Sequence, residues 1–292
     1  MELRVLRYFL VVAAEENITK AAEKLHITQP TLSRQLMQLE TELGVKLFRR
    51  SNHHIILTED GLLLKRRAQE MVYLADKTKQ DFTQKTEDLS GQLDIGCGQF
   101  RSFDYVAELL IAFKRQYPGV TYQLYSGDYN DVIDSIERGI FDLGLVFAPV
   151  DVRKYACLTL PMEERWGVLV PNHRPLAQKD CVTPADIIPY PILIPSTSAL
   201  TYQRLYAWFG ELQPQMNIVS TGNLLYNQAV LARQGMGIVL CINLVSQFEG
   251  MTFVPLVPQV TTQTALIWKT AQSVSLLTKA FITFAKRAIE KA

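Results

Sequence analysis

The chain has 292 residues, 48% of them hydrophobic and 20% charged, with 30 Lys and Arg against 29 Asp and Glu. That length allows two or three domains with cores of their own, the composition is that of an ordinary globular protein, and a net charge of +1 excludes a globally basic nucleic-acid binder, so any such contact must be local. The start MELRVLRYF carries charges inside its apolar run, unlike a signal peptide, and no apolar stretch reaches the roughly 18–20 residues of a membrane span. The four cysteines, Cys97, Cys157, Cys181 and Cys241, form no CxxC or Cys/His pattern. A cytoplasmic protein with reduced thiols, no metal and no cofactor is expected, with a thiol-based redox sensor as the alternative.

Leu3, Leu6, Phe9, Leu10, Ala13 and Ala14 recur at helical spacing and predict a helix from about residue 2 to 16. Residues 19–43 read as two helices joined by a tight turn. Ala21, Ala22 and Leu25 lie on the first. His26-Ile27-Thr28 breaks the pattern, and Thr28 is a good N-cap, its hydroxyl suited to accept a backbone N–H one turn ahead. Pro30 is tolerated in the first turn. Leu32, Leu36, Leu39 and Leu43 then form one inward stripe. Arg34 points away from it, with Thr31 and Gln38 on the same far side and Ser33 and Gln35 flanking. Thr28, Gln29 and Pro30 open this helix. A short helix bearing Thr, Ser, Arg and Gln near its N-terminus offers the donors and acceptors that major-groove base edges require. Alone, the pattern fits an ordinary helical hairpin with a solvated face equally well.

Gly44 is placed to stop the second helix. Residues 45–50 and 55–57 read as short strands around a turn at 51–54. In this β-wing Arg49, Arg50, Asn52 and His53 suit phosphate or minor-groove contact. Residues 1–58 hold eight Lys and Arg against six acids, so one copy attracts DNA weakly and pairing would help. From residue 59 to about 88 a long helix is expected. Leu64, Ala68, Met71, Ala75, Thr78 and Phe82 alternate at four and three, a repeat of about 3.5 that favours a coiled coil; the alternative is a surface helix lying on its own domain.

After Ser90-Gly91 strands and helices alternate. Strands are expected at 92–97, 121–125, 141–147, 166–170, 191–195, 217–220, 238–241 and 264–268, with helices at 105–117, 132–138, 198–211, 224–234 and 274–291. Ala107, Leu110, Ile111 and Ala112 would face inward on the first of these helices. The alternation implies a largely parallel sheet with helices on both faces. It divides into one lobe of about 90–160 plus 264–292 and another of about 161–263, joined by two crossovers, the layout of a hinged cleft. Ligands sit beyond the carboxyl ends of such strands. That rule selects Gln99, Phe100, Arg101 and Ser102, then Phe147, then Ser196, Thr197 and Ser198, then Asn223 and Tyr226. Helix N-termini with hydroxyls and Arg101 favour an anion, a small carboxylate or phosphate, although plain N-capping explains residues 196–198 equally. There is no GxSxG, HExxH or P-loop, and Asp128 with Asp131 reads as a solvated turn. No catalytic residue is assigned.

The run NITKAAEKLHITQPTLSRQLMQLETELGVKLFRR, followed by LTEDG, resembles the N-terminal domain of LysR-type transcriptional regulators across residues 1–60. YPGVTYQLYSG, ERGIFDLGLVF and ARQGMGI fit the family's effector domain. His53-His54 departs from the glycine or small polar residues usual in the wing. The resemblance implies a multidomain chain: an all-α winged helix-turn-helix domain at 1–58, a linker and dimerisation helix at 59–89 whose seam is Leu64, Ala68, Met71, Ala75 and Phe82, and a two-lobed α/β periplasmic-binding-protein-like effector domain at 90–292. It implies a sequence-specific regulator bound to double-stranded DNA as a homotetramer, a dimer of dimers. A small, anionic effector would control the spacing of its DNA heads, and RNA polymerase would be a further partner. The alternatives are a ligand-independent DNA-binding oligomer and an enzyme built on the α/β domain.

Overall fold

The computed structural model describes residues 1–51, 54–83, 89–196, 198–244, 248–270 and 274–290. The chain forms two compact units, Met1–Thr83 and Gln84–Ala292. The first holds α1 (Leu3–Glu15), α2 (Ile18–Lys24), α3 (Gln29–Leu43), a hairpin of β1 (Phe48–Ser51) and β2 (His54–Leu57), and α4 (Glu59–Thr83).

Local chemistry sets these boundaries. α1 stops where Glu16 turns left-handed, at φ 51°, and the Asn17 carboxamide then accepts the Thr19 and Lys20 N–H groups to start α2. Gly44, at φ 70°, ends α3. The face that α1 buries is Val5, Leu6, Phe9 and Val12, rotated from the expected stripe, and Leu3 is exposed. The rotation follows from α1 packing against α2, α3 and α4 together. On α3, Leu32, Leu36 and Leu39 are buried but Leu43 is exposed.

Glu40 is buried in the last turn of α3 instead. Its carboxylate accepts the Leu47 N–H at 2.8 Å, the Phe48 N–H at 3.4 Å and the Lys46 ammonium at 2.7 Å. Residues 45–47 are therefore drawn into a turn against α3, and β1 begins three residues later than expected. Ser51 and His54, expected in the turn, pair with each other in the hairpin. Burial opposes ionisation of Glu40, but Lys46 and the two N–H groups outweigh it and hold its carboxyl below the ordinary value of 4.5. A lowered folded value stabilises the fold above about pH 4.5, and the contribution is lost as pH falls through the lowered value. Urea unfolding of wild type and Glu40→Gln should therefore differ by a constant amount near neutral pH and converge in acid.

The wing joins α4 through a close approach. Thr58 donates its N–H to the Leu47 carbonyl at 3.0 Å. Its hydroxyl donates to the Lys46 carbonyl at 2.6 Å and accepts the Gly61 N–H at 3.0 Å. A Cβ on Gly61 would lie 2.1 Å from the Leu47 oxygen. Gly61→Ala should destabilise this unit by about 1–3 kcal/mol. All three tryptophans, Trp166, Trp208 and Trp268, lie in the other unit. The far-UV circular dichroism transition should therefore shift while tryptophan fluorescence unfolds as before.

α4 corrects the expected dimer seam. Leu64 and Ala68 are buried in the core of their own unit, with Met71 and Val72 packed at its edge. Arg7 of α1 pairs with Asp76, through Nη1 at 2.9 Å. The first half of the seam therefore faces α1, because the same spacing serves a helix lying on its own domain. Ala75 is half-buried, whereas Leu62, Leu63 and Phe82 are exposed.

The second unit contains β3 (Gly91–Cys97), α5 (Phe103–Gln116), β4 (Val120–Ser126), α6 (Tyr129–Glu137), β5 (Leu143–Phe147), β6 (Tyr155–Pro171), α7 (Pro184–Ile187), β7 (Pro191–Pro195), α8 (Ala199–Phe209), β8 (Asn217–Gly222), α9 (Leu225–Arg233), β9 (Ile238–Ile242), β10 (Met251–Pro255), β11 (Thr261–Lys269) and α10 (Leu276–Ile289). Strand order is β4-β3-β5-β11-β6-β9-β7-β8, with β10 added on β6. Pairing is parallel within each lobe, β3 with β4 and β5, β7 with β8 and β9. It is antiparallel wherever β6 or β11 takes part.

The sheet is therefore mixed rather than largely parallel. The two crossover strands run between the lobes in opposite senses and pair with each other from Tyr155↔Lys269 to Arg165↔Thr261. The strand expected at 166–170 is the far half of β6, which spans both lobes in 17 residues. α5 buries Val106, Leu109, Leu110 and Phe113, not the alanine face, and Ile111 is exposed. Phe113 meets Phe281 of α10 edge-on at 5.2 Å in the first lobe's core, so the last helix returns to that lobe. Trp166, Ile192 and Leu240 centre the second core. Asp128 and Asp131 form a capping box at the start of α6, which explains that acidic pair. No helix is long and apolar enough to cross a membrane among the described residues.

Candidate functional site

Two surfaces, one in each unit, gather the residues singled out from the sequence. On α3, Thr31, Arg34 and Gln38 are exposed and Ser33 and Gln35 are half-buried. Thr28 sits at the N-cap, but its hydroxyl makes no capping bond and pairs with the Thr31 hydroxyl at 2.8 Å. Gln29 donates to Ser33 Oγ at 3.0 Å, and Pro30 is exposed in the first turn. These short contacts order the side chains at the start of the helix while Arg34 forms no ion pair among the described residues. Met37 was not singled out, yet it is 58% exposed on the same helix. In the wing, Arg49 is exposed and opposite Ile56. Arg50 pairs with Ile55 through the backbone. Asn52 and His53 lie outside the described residues.

In the second unit a cleft of about 710 Å³, its open mouth included, lies where the two lobes meet the crossover strands. Gln99, Phe100, Phe147, Ser196 and Asn223 line it. Phe100 packs against the cores of both lobes. Its ring meets Phe147 at 4.8 Å, and Phe147 lies 5.7 Å from Trp166. Gln99 reaches across, its Oε1 accepting the Leu225 N–H at 2.9 Å. A residue of one lobe thus caps α9 of the other, whose own N-cap residue, Leu224, offers no side-chain bond.

Other expected residues fall elsewhere. The Arg101 side chain is exposed and Ser102 is fully buried, and neither lines the cleft. Their N–H groups donate to Glu164 of β6 at 3.2 and 2.8 Å, and Ser102 Oγ accepts the Thr264 hydroxyl at 2.7 Å. The start of α5, near which Arg101 was expected to add a positive charge for an anion, already holds a buried protein carboxylate. Ser198 caps α8 by accepting the Thr201 N–H at 3.2 Å and does not line the cleft. Tyr226 is 60% exposed and also outside it. Thr197 lies outside the described residues.

Sequence reasoning missed Trp166 and Gln228, which line the cleft together with Gly222. Gly222 ends β8, and a Cβ there would come within 2.2 Å of Gln228 Nε2. Gln228 is a buried amide on a helix of mixed composition, and only its position behind Gly222 marks it. Cys241 also lines the cleft, and burial pushes its thiol up to about 12, only partly offset by a backbone hydrogen bond to Leu169. It is therefore a protonated packing group at neutral pH.

Family models match both units. Residues 3–62 match the bacterial regulatory helix-turn-helix proteins of the lysR family, and residues 86–290 match the LysR substrate binding domain. The Hca operon transcriptional activator HcaR of Escherichia coli (strain K12) is 31% identical over 251 residues, covering 85% of this chain and 84% of that protein. The uncharacterised regulator YybE of Bacillus subtilis (strain 168) is 29% identical, covering 82% and 81%. Among solved structures, that of CbnR, a LysR family transcriptional regulator, superposes with a TM-score of 0.74 at 19% identity over 99% of each chain. Full-length CbnR complexed with its target DNA gives 0.73 at 20% identity, covering 100% and 99%. Full-length BenM gives 0.56 at 25% identity, covering 100% and 96%.

Proposed function

The chain belongs to the LysR family of transcriptional regulators, so it is a DNA-binding regulator with an effector-binding domain, and from that premise we propose which residues perform each task. Thr28, Gln29, Pro30, Thr31, Ser33, Arg34, Gln35 and Gln38 approach the major groove, and Arg34 reads a base edge. Arg49, Arg50, Asn52 and His53 hold the backbone beside it. Gln99, Phe100, Phe147, Ser196, Asn223, Trp166 and Gln228 enclose a small effector. Residues 1–58 act as the reading head, 59–89 as the pairing helix and 90–292 as the sensor. With Leu64 and Ala68 buried inside the subunit, pairing uses the exposed apolar side chains Leu62, Leu63 and Phe82.

The observation that carries the DNA assignment is α3 itself. Its leucine stripe is buried while Thr31, Arg34 and Gln38 stand exposed on the first three turns. Two-fold pairing presents two such helices to half-sites, and two pairs make the tetramer. Effector occupancy shifts the balance between two arrangements of the heads by its difference in affinity for them. The expected setting is the cytoplasm, where DNA and RNA polymerase meet the protein. Selection of binding sites from random DNA, followed by sedimentation of the complex, tests this. A recovered pseudo-palindrome bound by four subunits supports it; no enriched sequence, or a monomer on the DNA, contradicts it.

A further inference from the structure

Several places in the cleft region where an anion could settle already hold acceptors from the protein among the described residues. α5 begins on the Glu164 carboxylate. α9 begins on the Gln99 carboxamide. The Ser196 N–H donates to the Gly222 carbonyl at 2.7 Å. α6 begins on Asp128, a carboxylate that itself lines the cleft. No Lys, Arg or His lines this space among the described residues. An anion entering it would lose hydration without gaining a counter-charge.

One acceptor at the cleft lacks a donor among the described residues. Gln228 is 3% exposed and lines the cleft, and its Oε1 has no hydrogen-bond partner among the described residues. The side chain lies close to Gly222, where a Cβ would come within 2.2 Å of its Nε2. A buried acceptor left unpaired destabilises the site until a donor reaches it. Close by, Phe100, Phe147 and Trp166 present aromatic rings. We propose that the effector of this chain is an uncharged, flat, largely apolar molecule that donates a hydrogen bond to Gln228 Oε1, and that the cleft discriminates against carboxylates.

The proposal rests on the cleft being the effector site, so the test separates the two. Calorimetric titration of the full chain would compare indole (neutral, one N–H), 1-methylindole (neutral, no donor) and indole-3-carboxylate (charged). Indole should bind saturably, 1-methylindole at least about fivefold more weakly, and the carboxylate at least about tenfold more weakly. Gln228→Leu should remove the difference between the first two, and Ser196→Trp, which fills the cleft, should abolish binding of all three. Equal affinity of indole and 1-methylindole for wild type, preference for the carboxylate, or no saturable indole binding at millimolar concentration overturns the proposal. If the carboxylate is preferred and Ser196→Trp blocks it, the cleft stands as the effector site and the uncharged ligand falls. If indole binding survives Ser196→Trp, the cleft assignment itself fails.

Discussion

Replacing Arg34 with alanine should weaken binding to a selected operator by about 1–3 kcal/mol, roughly five- to 150-fold, with little change on random DNA. Arg34 is exposed on the far side of α3 from Leu32, Leu36 and Leu39, and no described carboxylate holds it. Its guanidinium is thus free to make a bidentate contact with a guanine edge. A phosphate contact would behave differently: both DNAs would lose affinity together and the salt dependence would fall by about one counterion. Fluorescence anisotropy at two salt concentrations, on operator and random duplexes, distinguishes the cases. Equal loss on both removes Arg34 from base recognition. Arg34→Lys should recover little of the specific part, because an ammonium cannot make the paired contact.

Glu164→Ala should destabilise the second unit by roughly 2 kcal/mol or more, since it removes two hydrogen bonds and leaving a buried donor unsatisfied costs about 1–3 kcal/mol. Glu164 is 1% exposed, and its loss leaves the Arg101 and Ser102 N–H groups without their acceptor beside α5. The residue sits on β6 opposite Thr262 of β11, where the crossover strands pair. Trp166 and Thr262 are hydrogen-bonded at 3.0 Å in the same place. Tryptophan-detected urea unfolding should therefore report the loss, with Glu164→Gln between alanine and wild type because it keeps one acceptor oxygen. An unchanged midpoint would mean that water replaces the carboxylate and that the clamp is dispensable.

The winged head was legible because its signals are local. Gly44 at the end of α3, Pro30 in its first turn and the leucine spacing each act within one or two turns. Glu40 was not legible, since its partners Leu47 and Lys46 become neighbours only after the chain folds back. α4 shows the limit of periodicity. Leu64 and Ala68 repeat as a coiled-coil seam would, but a helix resting on α1 needs the same repeat.

In the α/β unit, strand existence could be read from apolar runs, whereas pairing direction could not. β6 and β11 look like short strands in sequence and become the two chains that join the lobes. The rule that ligands gather beyond strand ends placed Gln99, Phe100, Phe147, Ser196 and Asn223 around one space. It misplaced Arg101 and Ser102, because Glu164 lies 62 residues from Ser102 in sequence and nothing local marks it as their acceptor. Gln228 escaped for a related reason. A glutamine in a helix is normally solvated, and only the absence of a side chain on Gly222 lets it lie buried.

The proposal that cleft occupancy governs the DNA heads is tested most directly by a DNase I footprint of the full chain on its selected operator, with and without saturating indole. The protected length or the pattern of enhanced cleavage should change in wild type and stay constant in Ser196→Trp, with operator affinity otherwise retained. A wild-type footprint that indole leaves unchanged while calorimetry shows the cleft occupied would contradict the coupling between cleft and head.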